Sequence, residues 1–149
     1  MGWVHADIEL INADDLSLER RGMMKPEEVR RLKVTALVNS GAYTLVVPES
    51  VRLQLGLDVI DEDVVQYANS DFQQVPVTTG VEIKFENRRA LCNPVMIGDA
   101  VLLGAMPMEA MDVVIHPKTQ KLIVNPEHPN LPQHKIFAAQ GFMPPIDAD

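Results

Sequence analysis

The chain has 149 residues, enough for one domain with a buried core, and its 46% hydrophobic and 23% charged residues are typical of a folded globular protein. Its formal net charge of −8 argues against nucleic acids and anionic membrane surfaces as partners, because both bind clustered basic side chains. A single cysteine excludes an intrachain disulfide, and in the absence of a secretory or membrane-spanning pattern the expected location is the cytoplasm.

The first predicted elements are two strands of a hairpin separated by a charged segment. Residues 3–11 alternate between polar and apolar side chains, which predicts a strand with one buried face. Residues 13–31 are expected to form a charged surface insertion, a long loop with one helical turn that begins at Pro26. Residues 32–38 are then the second strand, which leads into a turn at Asn39.

The middle of the chain begins with a strand at residues 44–47 and a short helix at 48–56, which Gly56 ends. Strands at residues 64–67 and 74–85 follow, separated by a polar turn. The last part contains four short strands and one helical turn: strands at 91–97, 101–104, 112–115 and 122–124, and the turn at 107–111. Many short strands with few helices predict a mostly β barrel or sandwich.

Beyond residue 125 the chain is rich in proline and loses its periodicity, so we expect a domain at residues 1–125 and a tail at residues 126–149. Within the tail, residues 134–144 are partly apolar and are interpreted as an extended segment. Four interpretations of this segment stay open: it packs on a partner subunit, occupies a cleft, is a self-cleavage site in an active parent protein, or extends into solvent.

Two separated motifs carry the chemical signal. Residues 36–48 read Ala-Leu-Val-Asn-Ser-Gly-Ala-Tyr-Thr-Leu-Val-Val-Pro, and residues 101–104 read Val-Leu-Leu-Gly. In this order they resemble the retropepsin-like (retroviral-type) aspartic peptidases of the single-domain prokaryotic type, in which Asp-Thr/Ser-Gly-Ala follows an apolar strand and an apolar-apolar-Gly strand comes later. Asn39 stands where that family has its catalytic aspartate. The other residues that match are Ser40, Gly41, Ala42, Leu102, Leu103 and Gly104.

The resemblance covers residues 3–124 and implies a closed, mostly β acid-protease barrel with one or two short helices, which works as an obligate homodimer without a cofactor. Each subunit would supply one active-site loop, and two aspartates would share a proton and activate a water against a peptide or protein substrate. The hydroxyl of Ser40 would brace the two loops. A flap would cover the substrate, and by position its residues are Tyr67, Asn69, Ser70, Asp71 and Phe72.

An asparagine at position 39 removes the group that performs this reaction, because a carboxamide does not accept a proton near neutral pH. Three explanations stay open. The favoured one is an engineered inactive variant of an aspartic endopeptidase, and the second is a natural pseudo-peptidase that binds peptides or dimerises. The third, deamidation of Asn39 to aspartate, is less favoured because Asn-Ser reacts less readily than Asn-Gly. Without the second motif, Asn39 would read as an ordinary turn residue.

Other residue types point to structure rather than chemistry. The four histidines lack the spacing of a metal site and are interpreted as surface or turn residues, so no metal is expected. No glycine-rich phosphate loop indicates a nucleotide cofactor. Cys92 lies in an apolar run and is interpreted as a buried structural thiol.

Overall fold

The computed structural model describes residues 3–137. Within this range the protein is mostly β, with three α-helices. The strands of the larger sheet are β1 (His5–Asn12), β2 (Arg31–Val38), β3 (Val46–Val47), β4 (Val59–Gln66), β5 (Phe72–Thr78), β6 (Val81–Phe85), β7 (Arg88–Cys92), β8 (Val95–Ile97) and β9 (Leu102–Leu103). A separate hairpin consists of β10 (Val113–Ile115) and β11 (Leu122–Val124). The helices are α1 (Ala13–Arg20), α2 (Glu49–Leu55) and α3 (Ala105–Met111).

The larger sheet curls into a half barrel with the strand order β4-β5-β8-β3-β9-β2-β1-β6-β7. Most neighbouring strands are antiparallel, but β9 runs parallel to β2 and β8 runs parallel to β3. The two outer strands, β4 and β7, do not pair with each other in the described residues. Because these edges stay open, the described part of the chain forms a half barrel and not the closed barrel that the resemblance implies.

The predicted hairpin of the first two strands is confirmed. Strands β1 and β2 pair antiparallel, with Leu10 opposite Leu32 and Ala6 opposite Ala36. The apolar face of β1 is buried as its alternation predicts, and Ile8 between these two positions is 3% exposed. The alternating pattern therefore fixed both the strand and the face that it turns to the core.

The segment between these strands is not the long loop that its charge predicts. Helix α1 begins there, because Asn12 caps it: the side-chain Oδ1 accepts the N–H of Asp15 at 3.0 Å. The buried Asp15 also accepts two bonds of 2.9 Å from the guanidinium of Arg30, which lowers the pKa of this carboxyl group. A polar cap and an ion pair hold α1 in place. The helix therefore has no apolar stripe from which the sequence could predict it. The helical turn at Pro26 is confirmed as the 3-10 turn Pro26–Glu28.

Two predicted strands are each divided in the structure. Residues 74–85 contain the end of β5 and all of β6, which separate because β5 pairs with β8 whereas β6 pairs with β1 and β7. Residues 91–97 divide at Asn93–Pro94 into the end of β7 and all of β8. The predicted helix after Pro48 is confirmed as α2, and Gly56 ends it in the left-handed conformation with φ of 65°.

Apolar side chains form two clusters of unequal size. The larger one fills the half barrel and includes side chains of β1, β6, β7, α2 and α3. The smaller one joins Val75 and Val77 of β5 to Met96 of β8, on one face of the β4–β5 hairpin. Across residues 3–137, no helix has the length and apolarity to cross a membrane.

The first part of the proline-rich segment is attached to the domain. No helix or strand forms in its described part, but the backbone oxygen of His128 accepts a hydrogen bond from the buried Arg88. Further along, the Nε2 atom of His134 lies 3.1 Å from a backbone oxygen of α3. We call residues 125–134 the strap. The interpretations of residues 134–144 concern mostly residues outside the described range, and they stay predictions.

Candidate functional site

The two sequence motifs meet in the centre of the sheet, because β9 lies between β2 and β3. The chain leaves β2 at Val38 and enters β3 at Val46, so the intervening residues 39–45 form a loop around the end of β9. Leu102 pairs with Leu37 on one side and with Val46 on the other. We call residues 39–45 the site loop. Segments more than fifty positions apart in the sequence are thus built into one structural unit.

Backbone hydrogen bonds attach the site loop to β9 and to the start of α3. The N–H of Asn39 donates to the oxygen of Leu103 at 3.0 Å. On the other side of the loop, the oxygen of Ala42 accepts the N–H of Ala105 at 2.8 Å. A third bond of 3.1 Å runs from the N–H of Met106 to the oxygen of Tyr43. Since main-chain atoms make all three bonds, they do not depend on which side chain stands at position 39.

Gly104 provides the space for this close approach. A Cβ atom at position 104 would lie 2.2 Å from the oxygen of Thr44 and 2.6 Å from the oxygen of Ala42. Both are backbone atoms of the site loop, which cannot rotate away as a side chain can. The φ of Gly104 is −90°, so space and not backbone conformation requires the glycine. This is a physical reason for the glycine in the apolar-apolar-Gly motif.

The side chain of Asn39 is held in one orientation at the start of the site loop. Its Oδ1 accepts the N–H of Gly41 at 2.9 Å, and its backbone oxygen accepts the N–H of Ala42 at 3.1 Å. Asn39 is half-buried, while Ser40 and Gly41 are exposed to solvent. The amide nitrogen of Asn39 has no hydrogen-bond partner within residues 3–137. A carboxylate could occupy the same space and accept the same bond from Gly41.

The far end of the site loop is fixed by a buried hydroxyl group. Thr44 donates from Oγ1 to the oxygen of Pro94 at 2.8 Å, and the Sγ atom of Cys92 also lies 2.8 Å from this Oγ1. Burial raises the pKa of the Cys92 thiol, which keeps it neutral. The interpretation of Cys92 as a buried thiol is confirmed. These contacts tie the site loop to the segment between β7 and β8.

The residues predicted as a flap lie at the tip of the β4–β5 hairpin. The N–H of Tyr67 donates to Asp71 and the N–H of Ser70 donates to Tyr67, each at 2.9 Å. The aromatic side chains that flank this tip face solvent: Tyr67 is 47% exposed and Phe72 is 69% exposed. Asn69 accepts the N–H of Asp71 through Oδ1 at 3.0 Å. Among the described residues, no hydrogen bond joins this tip to the site loop.

The hairpin and the site loop are nevertheless connected through the sheet. Val77 of β5 pairs with Met96 of β8, and Met96 pairs with Val46, which directly follows the site loop. These side chains belong to the smaller apolar cluster or pack against it. The hairpin that carries the predicted flap residues is therefore joined through β8 to the strand that follows the site loop.

A polar cluster that the sequence did not predict is centred on Asp112, at the end of α3. Its carboxylate accepts bonds from the side chain of Asn125 at 2.9 Å and from the N–H of Gln133 at 3.0 Å, and it lies 2.7 Å from Nδ1 of His128. The bond from Asn125, followed by that from Gln133, lowers the pKa of Asp112 to about 2. The buried guanidinium of Arg88 lies 4.0 Å from the same carboxylate. This cluster fastens the strap.

Sequence reasoning missed the cluster because its members are widely separated and each resembles an ordinary surface residue. The available signal was small: Asp112 follows the last turn of a predicted helix, and Asn125 and His128 each precede a proline. The carboxylate of Asp112 is occupied by strap residues, although Nε and Nη1 of the buried Arg88 have no hydrogen-bond partner among the described residues. The cluster lies at the opposite end of α3 from the site loop. We therefore assign it a structural role.

No group of three or more potential metal ligands is present in the part of the chain that the structure describes. A scan against protein-family models finds no match, and a search of the curated proteins finds none either. The geometry of the site loop and the resemblance of the two motifs are therefore the only indications of function.

Proposed function

We propose that this chain is one subunit of a homodimeric, retropepsin-like aspartic endopeptidase scaffold, and that Asn39 in place of the aspartate leaves it unable to hydrolyse peptides. The observation that carries the proposal is that the loop holds the side chain at position 39 in one orientation. It projects from a loop held by β9 on one side and α3 on the other, and the N–H of Gly41 fixes its Oδ1 atom at 2.9 Å. A reacting group needs this kind of preorganised position.

The loop can also hold a carboxylate at position 39. A bond from the N–H of Gly41 favours the charged form of an acid at position 39. If two subunits bring their loops together about a twofold axis, the two acids cannot both ionise at close range, and they share one proton. The charged acid then removes a proton from water, and the neutral acid protonates the carbonyl oxygen under attack.

Asn39 cannot perform either part of this reaction. A carboxamide of nearly the same size keeps the hydrogen bond to Gly41 but neither accepts a proton from water nor donates one as an acid. The fold of the loop is therefore compatible with the asparagine, whereas peptide hydrolysis is not. This explains how a complete site loop and an inactive residue occur in the same chain.

In this proposal the β4–β5 hairpin covers the substrate. Its tip carries exposed aromatic residues, Tyr67 and Phe72, which offer apolar surface to an extended peptide. The packed contacts of Val77 with Met96 connect the hairpin to the strand beside the site loop. Movement of the tip therefore leaves the base of the hairpin in place.

The test is restoration of the acid. We expect Asn39→Asp to cleave an unstructured fluorescent protein substrate at acidic to neutral pH, and a peptide mimic of the tetrahedral intermediate to inhibit this cleavage. Asn130→Asp is the matched control, because it makes the same change at an exposed position in the strap and should leave the protein inactive. Absence of cleavage by Asn39→Asp at every pH, with the fold intact, would refute the enzymatic proposal.

The alternative is a natural pseudo-peptidase that binds peptides or dimerises on the same scaffold. The ordered bond between the amide of Asn39 and Gly41 favours it, because the asparagine is accommodated without distortion of the loop. This alternative predicts that the unaltered chain binds extended peptides and that Asn39→Asp binds them without cleavage. The codon at position 39 of the source gene separates an introduced asparagine from a natural one.

A further inference from the structure

The chain contains the dipeptide Asn-Ser twice, at Asn39 and at Asn69, and the structure holds the two copies differently. Both asparagines lie in turns, and each accepts through Oδ1 the N–H two residues further on, from Gly41 at 2.9 Å and from Asp71 at 3.0 Å. The two sites therefore share the dipeptide and this side-chain hydrogen bond, although Ser70 has a positive φ of 71° and Ser40 does not. They differ in the hydrogen bonds of two groups that take part in deamidation, the backbone N–H of the serine and the side-chain nitrogen of the asparagine.

Deamidation requires the backbone nitrogen of the following residue as a nucleophile. This nitrogen loses its proton to solvent and attacks the side-chain Cγ, so that a C–N bond forms and negative charge develops on Oδ1. The amide nitrogen takes up a proton and leaves as ammonia, and the product is a five-membered succinimide. Water then adds to one of the two ring carbonyls and opens the ring to aspartate or isoaspartate. Water is the only co-reactant, and no atom is oxidised or reduced.

At Asn39 the reacting groups are free. Within the described residues, the N–H of Ser40 has no hydrogen-bond acceptor and the amide nitrogen of Asn39 has no partner. Ser40 and Gly41 are exposed, so that water reaches the loop. The N–H of Gly41 already points at Oδ1, where the negative charge of the intermediate develops, and a donor at this position stabilises that charge.

At Asn69 the corresponding groups are occupied. The N–H of Ser70 donates to the oxygen of Tyr67 at 2.9 Å, so the nucleophile must break a hydrogen bond before it attacks. The amide nitrogen of Asn69 donates to the carboxylate of Asp71 at 3.0 Å, so the leaving group is held as well. This carboxylate also places a negative charge beside the developing oxyanion, which disfavours it.

We propose that Asn39 is a self-deamidation site, at which the folded protein converts its own asparagine to aspartate or isoaspartate while the identical dipeptide at Asn69 is protected. The contrast arises from the hydrogen bonds that each site makes and from the carboxylate of Asp71, since the dipeptide itself is identical. It holds whether the asparagine at position 39 is natural or introduced.

The consequence for activity rests on the proposed function. If position 39 is the catalytic position, deamidation to aspartate supplies the missing carboxylate, and the asparagine form is a latent precursor of the enzyme. The isoaspartate product does not have this effect, because its main chain runs through the former side chain and displaces the carboxylate. Activity of aged protein should therefore follow the aspartate fraction and not the total loss of ammonia.

The experiment compares the two sites within one molecule. The full chain is incubated in its folded state, and a second sample is incubated in denaturant. Peptide mapping by mass spectrometry then follows, at each site, the small mass increase that distinguishes a carboxyl group from an amide. We expect Asn39 to react about tenfold faster than Asn69 in the folded protein, because two hydrogen bonds protect the second site, and the rates to become similar in denaturant.

A variant tests the stated cause. Asp71→Ala removes the carboxylate that holds the leaving group of Asn69 but keeps the N–H that Oδ1 of Asn69 accepts. We expect it to raise the rate at Asn69 several-fold and to leave the rate at Asn39 unchanged. An unchanged rate at Asn69 would contradict the protective role of Asp71.

The proposal is overturned if folded Asn39 reacts no faster than folded Asn69. This result is distinguishable from a failure of the proposed function, which the Asn39→Asp variant tests separately. Selective deamidation together with an inactive Asn39→Asp would retain the modification site and reject the peptidase. An active Asn39→Asp without selective deamidation would retain the peptidase and reject the latent form.

Discussion

The site loop and the strap are both irregular segments fixed to the same half barrel, but different kinds of atoms hold them. The site loop is held by main-chain bonds to Leu103, Ala105 and Met106, and by the space that Gly104 leaves open. The strap is held mainly by side chains: the carboxylate of Asp112 contacts three strap residues, and Arg88 donates to the backbone oxygen of His128. The first segment is therefore insensitive to most of its own side chains, whereas the second is sensitive to one charge.

This difference explains why Asn39 is compatible with a complete site. A loop held by its backbone keeps its shape when the side chain at position 39 changes, so that chemistry and fold can vary independently there. At position 112 the carboxylate itself attaches the strap, so that a change of this group changes the structure. Four predictions test this contrast, in order of decreasing expected effect.

The largest effect is expected from Gly104→Ala. The added Cβ would lie 2.2 Å and 2.6 Å from two backbone oxygens of the site loop, and the loop can relieve this overlap only by breaking its bonds to α3. We expect a loss of about 3 kcal/mol or more in the free energy of unfolding, measured by urea denaturation. Gly98→Ala is the matched control, because its new Cβ would meet one side-chain atom, Cγ1 of Val46 at 2.6 Å, and no backbone atom, so a smaller loss is expected. Equal losses for both variants would contradict the role of Gly104.

The second prediction concerns the charge that holds the strap. Asp112→Asn keeps the size of the side chain and an acceptor oxygen, but it leaves the buried Arg88 without its nearby negative charge. Because removal of one partner leaves a buried cation uncompensated, we expect a loss of about 2–4 kcal/mol in the free energy of unfolding. Protease digestion should also cut the strap of the variant more rapidly. The exposed Asp99, changed to Asn, serves as the control.

A third prediction follows from the pKa of Asp112, which the hydrogen bonds from Asn125 and Gln133 lower from 3.8 to about 2. A carboxyl group with a lowered pKa in the folded state stabilises the fold above its unfolded pKa, and this stabilisation is lost as the pH falls through the folded value. The stability difference between the parent and Asp112→Asn should thus be constant above pH 3.8 and shrink between that value and about 2. A difference that persists undiminished at the acidic end would show that the charge is not the cause.

The sequence predicted the parts of this molecule that depend on local patterns. The alternation in β1, the proline and glycine that bound α2, and the two motifs around Asn39 and Gly104 all have short-range signals. Their meeting in one unit was not predicted, since nothing local pairs Leu102 with both Leu37 and Val46. The resemblance supplied the order of the motifs, and the structure supplied the hydrogen bonds between them.

The sequence could not reveal features that arise from polar contacts between distant residues. Helix α1 depends on the cap of Asn12 and on a buried ion pair with Arg30, fifteen positions after Asp15. The attachment of the strap depends on Asp112 in the same way. A charged residue considered alone indicates an exposed position. Its structural role becomes visible only when the distant residue that it binds is known. For this reason the prediction of a loop was wrong at Ala13–Arg20, where α1 lies.

The smallest effect on stability is expected from Asn39→Asp, the change with the largest expected effect on chemistry. The new carboxylate accepts the same N–H from Gly41, so the free energy of unfolding at dilute concentration should change by less than about 0.5 kcal/mol. At concentrations that favour a dimer, the proposed function adds a second expectation. Two facing carboxylates repel each other when both are ionised, so the dimer of the variant should weaken as the pH rises, whereas the parent dimer should not. Sedimentation at several pH values measures the dissociation of the parent dimer and of the variant dimer. Identical pH profiles would show that the two site loops do not meet.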